Sequence, residues 1–160
     1  MRMFAPLFVL LWLSGITPAA DFTVGLKAYQ SGDYAAALKE WRPLAEQGGA
    51  AAQFNLGLLY YDGKGVPQDF QQAADWFALS ADHDYTKAQY NLGEMYAVGK
   101  GVKRDYIQAY KWLNICASKG DETCASHRDL IAQKLKGSKL AAAQRMSSEW
   151  KPKKDTAPSQ

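Results

Sequence analysis

Apolar residues recur at helical spacing through the middle of the chain. One apolar face of an α-helix is predicted from residues spaced by about one or two helical turns: Ala52, Leu56, Leu59 and Tyr60. A second such face follows: Phe70, Ala73, Ala74, Phe77 and Ala81. Between the two faces, Gly63 and Gly65 end the first helix, because glycine takes positive φ angles at little steric cost. The pattern therefore predicts two helices joined by a short turn.

This helix pair recurs with a period of 36 residues. Residues 52–87 and 88–123 share 15 identical residues in 36 aligned pairs. The positions that define the repeat are identical in both copies: Leu56 and Leu92, Gly57 and Gly93, Tyr60 and Tyr96, Gly63 and Gly99, Gly65 and Gly101, Trp76 and Trp112. A fixed period of this size is typical of a helical solenoid, because one such unit cannot bury its apolar face alone.

The segments on either side of the two full repeats diverge from the pattern. Residues 22–48 are a shorter, degenerate repeat, and residues 124–150 are predicted to form C-terminal capping helices. Together they give one all-α domain over 21–150, a solenoid of about four antiparallel helix pairs. Residues 151–160 are rich in lysine and proline and are predicted to be a disordered tail.

The first residues have the order of a secretory signal peptide. Arg2 is followed by an uncharged apolar run from Phe4 to Leu13 and then by small residues that end at Ala20. That run is too short to cross a bilayer, which takes about 20 residues. We therefore expect residues 1–20 to be a cleaved leader and the mature protein to be soluble, exported to the bacterial periplasm or secreted, and without stable membrane insertion.

Composition excludes several classes of function. The 160 residues are 48% hydrophobic and 22% charged, which is the balance of a folded, soluble protein. The net charge of +3 is too small to favour nucleic-acid binding, which usually needs a concentrated basic face. Two histidines and two cysteines are too few for the common multi-ligand zinc sites. We expect no cofactor, no metal and no catalytic residue.

The repeated motif resembles that of a known family. The pattern Ala-x-x-x-Leu-Gly-x-x-Tyr-x-x-Gly-x-Gly-Val-x-x-Asp-x-x-x-Ala-x-x-Trp runs from Ala52 to Trp76 and again from Ala88 to Trp112. It is similar to the Sel1-like repeat, a relative of the tetratricopeptide repeat, and Gly25 to Leu38 looks more like a tetratricopeptide unit. The resemblance implies a right-handed superhelical solenoid that serves as a scaffold or adaptor for other proteins, with no activity common to the family.

Cys116 and Cys124 are predicted to form a disulfide. Cys116 lies near the end of a second helix and Cys124 begins the next first helix, so antiparallel packing brings them within reach of each other. The resemblance supports this pairing, because cysteine-rich secreted members of the Sel1-like family have disulfides that pair helices at this spacing. An oxidising compartment favours the bond. A metal-binding pair and a reactive thiol stay open as alternatives.

An enzymatic alternative comes from the same relatives, because some are described as β-lactam-binding or β-lactamase-like proteins. Serine enzymes of that kind need Ser-x-x-Lys together with Ser-Asp-Asn and Lys-Thr-Gly elements. Ser148 and Lys151 match the first element only, at the end of the last helix. His83 and His127, near turns between repeats, are expected to be solvated. We find no nucleophile, base and orienting group that the repeats bring together.

A binding groove is the stronger candidate site. Registering the repeats on the tetratricopeptide pattern places seven residues on the groove formed by the first helices: Phe54, Asn55, Leu58, Tyr61, Tyr90, Asn91 and Glu94. Aromatic residues with a polar rim suit an interface, and the amides suit the backbone of an extended peptide. The partner is therefore expected to be a protein or an extended peptide. Alternatively, Phe54 and Tyr90 complete the packing between repeats; Lys64 and Lys100 are expected to be solvated at the loop tips.

Overall fold

The computed structural model describes residues 20–154, which form eight α-helices and no strand. The helices are α1 (Phe22–Gln30), α2 (Tyr34–Glu46), α3 (Ala50–Asp62), α4 (Phe70–Asp82), α5 (Thr86–Val98), α6 (Tyr106–Ala117), α7 (Glu122–Ala132) and α8 (Ser138–Glu149). Successive helices pack against each other from α1 to α7. The predicted all-α repeat fold is confirmed. None of the helices within 20–154 is long and apolar enough to cross a membrane.

Aspartates fix where most of these helices begin. The N-cap side chain accepts a hydrogen bond from a backbone N–H of the first turn in α1, α2, α4, α6 and α7, through Asp21, Asp33, Asp69, Asp105 and Asp121. Such a cap stabilises a helix because its first N–H groups otherwise lack partners within the helix. The second helix of each full repeat therefore starts at a position that the sequence period repeats.

Each helix pair closes by seating a large side chain on a glycine. A Cβ atom added at Gly57 of α3 would lie 2.5 Å from Cε1 of Phe77 in α4, and one at Gly93 would lie 2.8 Å from Cγ of Leu113. The same contact joins Gly25 of α1 to the indole of Trp41, which is 1% exposed. Residues 22–46 therefore form a hairpin closed in the same way as the two full repeats.

The loop of one repeat rests on the second helix of the repeat before it. Gly65 has a φ of +71° and lies against the backbone of Tyr34, and Gly101 has a φ of +69° and lies against the backbone of Phe70. Only glycine meets both requirements, a left-handed conformation and the absence of a side chain. Buried amides add a second link, since Gln53 and Gln89 donate to the carbonyls that end the preceding helix.

The C-terminal end closes the solenoid by packing α8 on α6. Asn114 of α6 donates a hydrogen bond to Ser147 of α8 at 2.9 Å, and the Trp150 ring meets the edge of Trp112 at a centroid distance of 5.9 Å. As a result α6 has helices on three sides, and its Leu113 is fully buried. This buries the apolar face that a further repeat would otherwise cover.

The chain ends differ in part from the sequence predictions. Residues 1–19 of the predicted leader lie outside the described residues, as do residues 155–160 of the predicted tail. The first part of that tail, residues 151–154, is bound rather than disordered. The Lys153 N–H donates to the Asp82 carbonyl at 2.7 Å, and its ammonium lies 2.7 Å from Oδ2 of Asp82. The C-terminal end of α4 suits this cation because the helix dipole is negative there.

The disulfide predicted between Cys116 and Cys124 is present. It joins α6 to the first turn of α7, with 5.8 Å between the two Cα atoms, and both residues are fully buried. In the chain-entropy model, cross-linking residues so close in sequence stabilises the fold by about 2.5 kcal/mol.

We expect Gly101→Ala to destabilise the protein more than Gly120→Ala. Both glycines have positive φ angles, +69° and +88°, so both variants share the strain of about 1–2 kcal/mol that alanine meets there. A Cβ at position 101 also lies 2.1 Å from the Phe70 carbonyl oxygen, whereas nothing lies within 4 Å of one at position 120. Urea unfolding followed by circular dichroism should show an extra loss of about 1–3 kcal/mol for Gly101→Ala. Equal losses would contradict the close loop contact.

Reduction of the disulfide should lower the free energy of unfolding by about 2.5 kcal/mol. The measurement compares urea unfolding of the oxidised protein with and without dithiothreitol. The variant with both Cys116→Ala and Cys124→Ala is the control, because its unfolding should not respond to the reductant. Identical curves for the wild-type protein under both conditions would show that the bond adds no stability.

Candidate functional site

A surface depression between α3 and α5 is the candidate site. It has a volume of about 420 Å³ and is lined by Leu58, Tyr61, Asp62, Asn91, Glu94, Met95, Val98 and Lys100. We call this depression the groove. Its size lies within the range of ordinary ligand-binding clefts, about 300–1,000 Å³. All of its residues come from the two first helices and the loop after α5, so the repeat period itself builds the site.

The structure brings four of the seven predicted groove residues together. Leu58 and Tyr61 of α3 and Asn91 and Glu94 of α5 all line the depression. Asn55 is partly exposed one turn before Leu58 on the same helix but does not line it.

Phe54 is not a groove residue, and its prediction as one is wrong. Its side chain is only 8% exposed, and its ring packs against the rings of Phe77 and Tyr85 at centroid distances of 5.6 and 5.1 Å. Tyr85 is the N-cap of α5, and Phe54 shares its buried cluster with Ala88 and Leu92 of that helix, in the next repeat. The alternative role, packing between repeats, is the one it has.

Tyr90 is partly exposed and lies beside the groove rather than in it. Its ring meets the edge of the His127 ring at 5.3 Å, and Nδ1 of His127 lies 2.8 Å from Oε1 of Glu94. Burial raises the pKa of the Tyr90 hydroxyl, and the carboxylates of Glu94 and Asp121 raise it further. His127 is therefore not simply solvated, as the sequence predicted, but links α7 to the groove through Glu94.

Lys100 and Lys64 are likewise held against aromatic rings instead of being solvated. The Lys100 ammonium donates to the Tyr61 hydroxyl at 2.9 Å and lies 4.3 Å from the centroid of the Tyr61 ring and 4.1 Å from that of Phe70. Lys64 reaches Tyr29 and Tyr34 of the preceding unit in the same way. We call each arrangement an aromatic clasp; it joins the loop of one repeat to the unit before it and, at Lys100, forms one wall of the groove.

Electrostatics reinforce the clasp at Lys64. Its ammonium is hydrogen-bonded to the Asp62 carboxylate at 3.0 Å and to the Tyr29 hydroxyl, and these two contacts raise its pKa above the ordinary lysine value. The charged form of Lys64 is therefore the one that the fold favours.

The surroundings of the two cysteines test the alternatives to a structural disulfide, which were a metal-binding pair and a reactive thiol. Ligand atoms of Cys116, Asp121 and Cys124 lie within 4.8 Å of one another, as a metal site would require. However, metal binding needs thiolates, and both sulfur atoms are used in the disulfide. The Asp121 carboxylate is also engaged, because it accepts the Cys124 N–H as the N-cap of α7.

Ser148 has no setting that would activate it as a nucleophile. Its hydroxyl donates to the Arg145 carbonyl at 2.9 Å in the last turn of α8, and the residue is exposed. No base among the described residues contacts it. Nucleophilic catalysis by serine needs an adjacent base within hydrogen-bond reach.

Comparison with known families agrees with this geometry. Residues 50–85 and 86–121 each match the Sel1 repeat. The chain carries two Sel1 repeats. Their bounds lie two residues before those predicted from the period alone, 52–87 and 88–123, and they coincide with the observed starts of α3 and α5. No curated protein shows a significant match to the chain.

Two solved structures share the fold of these Sel1 repeats. One is a protective antigen of uropathogenic Escherichia coli strains that displays an SLR fold; it is 33% identical, superposes with a TM-score of 0.75 and covers 80% of this chain. The other is a Sel1 repeat protein from Oxalobacter formigenes, 24% identical with a TM-score of 0.67 over 82% of this chain, a similarity that shows the fold alone. The chain spans 28% and 56% of the lengths of these two proteins.

The Sel1 period also marks Lys100, which lines the groove, and several residues outside it. Lys64 and Lys100 are identical in the two repeats, which marks them as part of the repeated structure rather than as variable surface. His127 lies 36 residues after Asn91, and Leu130 lies 36 after Glu94 and exposes 58% of its surface. Val98 carries no such signal: it is 66% exposed, whereas Met95, three residues earlier on the same helix, is 2% exposed.

Replacing Lys100 should weaken the coupling between the repeats. Lys100→Met keeps most of the aliphatic chain but removes the charge over two rings, a contact of about 1 kcal/mol at a partly exposed site. Lys103→Met, at an exposed lysine with no such contact, is the matched control and should leave stability unchanged. Urea unfolding measures both variants. A Lys100→Met curve that matches the control would show that the clasp contributes nothing.

Proposed function

We propose that this protein is an exported, non-enzymatic scaffold that holds an extended segment of a partner protein in the groove. Sel1 repeats typically serve as scaffolds for protein–protein interaction. The version that we favour places the partner in the bacterial periplasm, where binding of the scaffold regulates its activity.

The observation that carries the proposal is a pair of free amides beside an apolar surface. The side chains of Asn55 and Asn91, 36 residues apart in sequence, make no hydrogen bond within residues 20–154, and both are partly exposed. Asn91 lines the groove together with Leu58 and Val98. An amide donates and accepts at once, so it can pair with the unpaired N–H and C=O groups of an extended backbone.

The proposed export rests on two features. Residues 1–20 have the order of a signal peptide. The disulfide adds support, because such bonds form and persist in oxidising compartments such as the periplasm and are rare in the cytosol.

A charged residue in the groove should abolish partner binding. Leu58→Glu removes apolar surface from the groove and puts there a carboxylate that must lose water when a segment docks, so desolvation opposes docking. Leu79→Glu is the matched control, because Leu79 of α4 is 42% exposed and lies outside the groove. The measurement is affinity capture from periplasmic extract, with mass spectrometry of the retained proteins.

We expect specific partners to be retained by the wild-type protein and by Leu79→Glu but lost with Leu58→Glu. Circular dichroism of all three proteins checks that they are folded. Retention of every partner by a folded Leu58→Glu protein would place the binding surface elsewhere.

A further inference from the structure

The groove joins an apolar floor to carboxylates at its edge. Leu58, which is partly exposed, and Val98, which is 66% exposed, supply the accessible apolar surface, and Met95 lies buried beneath them at 2% exposure. Asp62 and Glu94 supply the carboxylates, and their side chains are 38% and 34% exposed. A long aliphatic side chain with a cationic end matches this arrangement, because its stem covers apolar surface while its charge stays near water.

The protein's own cations leave part of both carboxylates available. The Lys64 ammonium lies 3.0 Å from Oδ2 of Asp62, and Nδ1 of His127 lies 2.8 Å from Oε1 of Glu94, yet both carboxylate side chains keep 38% and 34% of their surface exposed. An ionised carboxylate accepts through both oxygens. The lysine that lines the groove, Lys100, is held over aromatic rings by its clasp. Among the residues that line the groove, two carboxylates stand beside one ammonium, and the cationic partner of Asp62, Lys64, lies outside the lining.

We propose that the segment bound in the groove carries a lysine or arginine whose stem lies on Leu58 and Val98 and whose charge pairs with Glu94 and Asp62. This inference rests on the proposed function, since it specifies the chemistry of the segment that the scaffold holds. Charge-assisted hydrogen bonds to carboxylates are about twice as strong as neutral ones, so this side chain is the specificity-determining contact.

The chain's own C-terminal segment shows the same chemistry on another face. After α8 the backbone of Trp150 is extended, with φ and ψ of −64° and 140°, and its ring packs against Trp112. Three residues later, the Lys153 ammonium pairs with Asp82 while its backbone N–H donates to the Asp82 carbonyl. An extended segment with a basic residue is thus already bound by this solenoid through an apolar contact and a carboxylate.

A peptide-binding assay with the full exported chain tests the proposal. The probes are short fluorescent peptides in which one central residue is fixed as lysine, arginine, norleucine or glutamate and the flanking residues are randomised over uncharged types. Norleucine keeps an aliphatic stem and removes the charge, so the ratio of lysine to norleucine affinity isolates the carboxylate contact. Fluorescence polarisation gives the affinities. We expect lysine and arginine peptides to bind about tenfold more tightly than norleucine peptides, with glutamate weakest.

Glu94→Gln, an isosteric loss of charge, should reduce that ratio to about threefold, because one carboxylate of the pair remains. Glu46→Gln, at an exposed glutamate at the end of α2, is the matched control and should keep the full ratio. Urea unfolding confirms that both variants are folded. If the charge preference is electrostatic, added salt should also reduce it.

The outcomes separate this inference from the proposed function. Equal binding of lysine and norleucine peptides, a preference for glutamate, or a lysine preference that stays undiminished in Glu94→Gln would each overturn the inference. If such peptides still lose binding with Leu58→Glu, the groove remains a peptide site of different specificity. If the protein binds none of the peptides, the inference is overturned. The affinity capture with Leu58→Glu then tests the scaffold function separately.

Discussion

The contact on which the rest of the structure depends is a large side chain of each second helix seated on a glycine of the first. It recurs as Trp41 on Gly25, Phe77 on Gly57 and Leu113 on Gly93. Because the glycine has no side chain, the two helices approach closely enough to bury these large groups, which are at most 1% exposed. Burial of such groups supplies most of the hydrophobic free energy of a small helical unit. The same contact holds α3 on α4 and α5 on α6, and α3 and α5 carry the groove.

Links between repeats turn these hairpins into one surface. The loops at Gly65 and Gly101 rest on the backbone of the preceding unit, and the aromatic clasps of Lys64 and Lys100 lie beside them. In a solenoid, stability is approximately a sum of unit and nearest-neighbour terms, so each link holds two units in register. Since Lys100 both forms a clasp and lines the groove, the element that couples the repeats also shapes the candidate binding site.

The C-terminal end is stabilised by different means. A disulfide ties α7 to α6, α8 covers a third side of α6, and Lys153 binds the end of α4. These contacts replace the apolar packing that a further repeat would provide. The bound segment at Trp150 and Lys153 also shows how an extended, basic chain is held by this protein, which is the chemistry that we propose for the groove.

The period of 36 residues determined the repeats, the glycine turns, the aspartate caps and the position of the disulfide, because each depends on neighbours at a fixed distance along the chain. The resemblance to the tetratricopeptide pattern placed Leu58, Tyr61, Asn91 and Glu94 in the groove. Only the tertiary structure decided that Phe54 packs inward and that the two lysines lie on aromatic rings. Those outcomes depend on how adjacent repeats meet, and spacing along one helix does not specify which of its partly apolar positions a neighbouring unit covers.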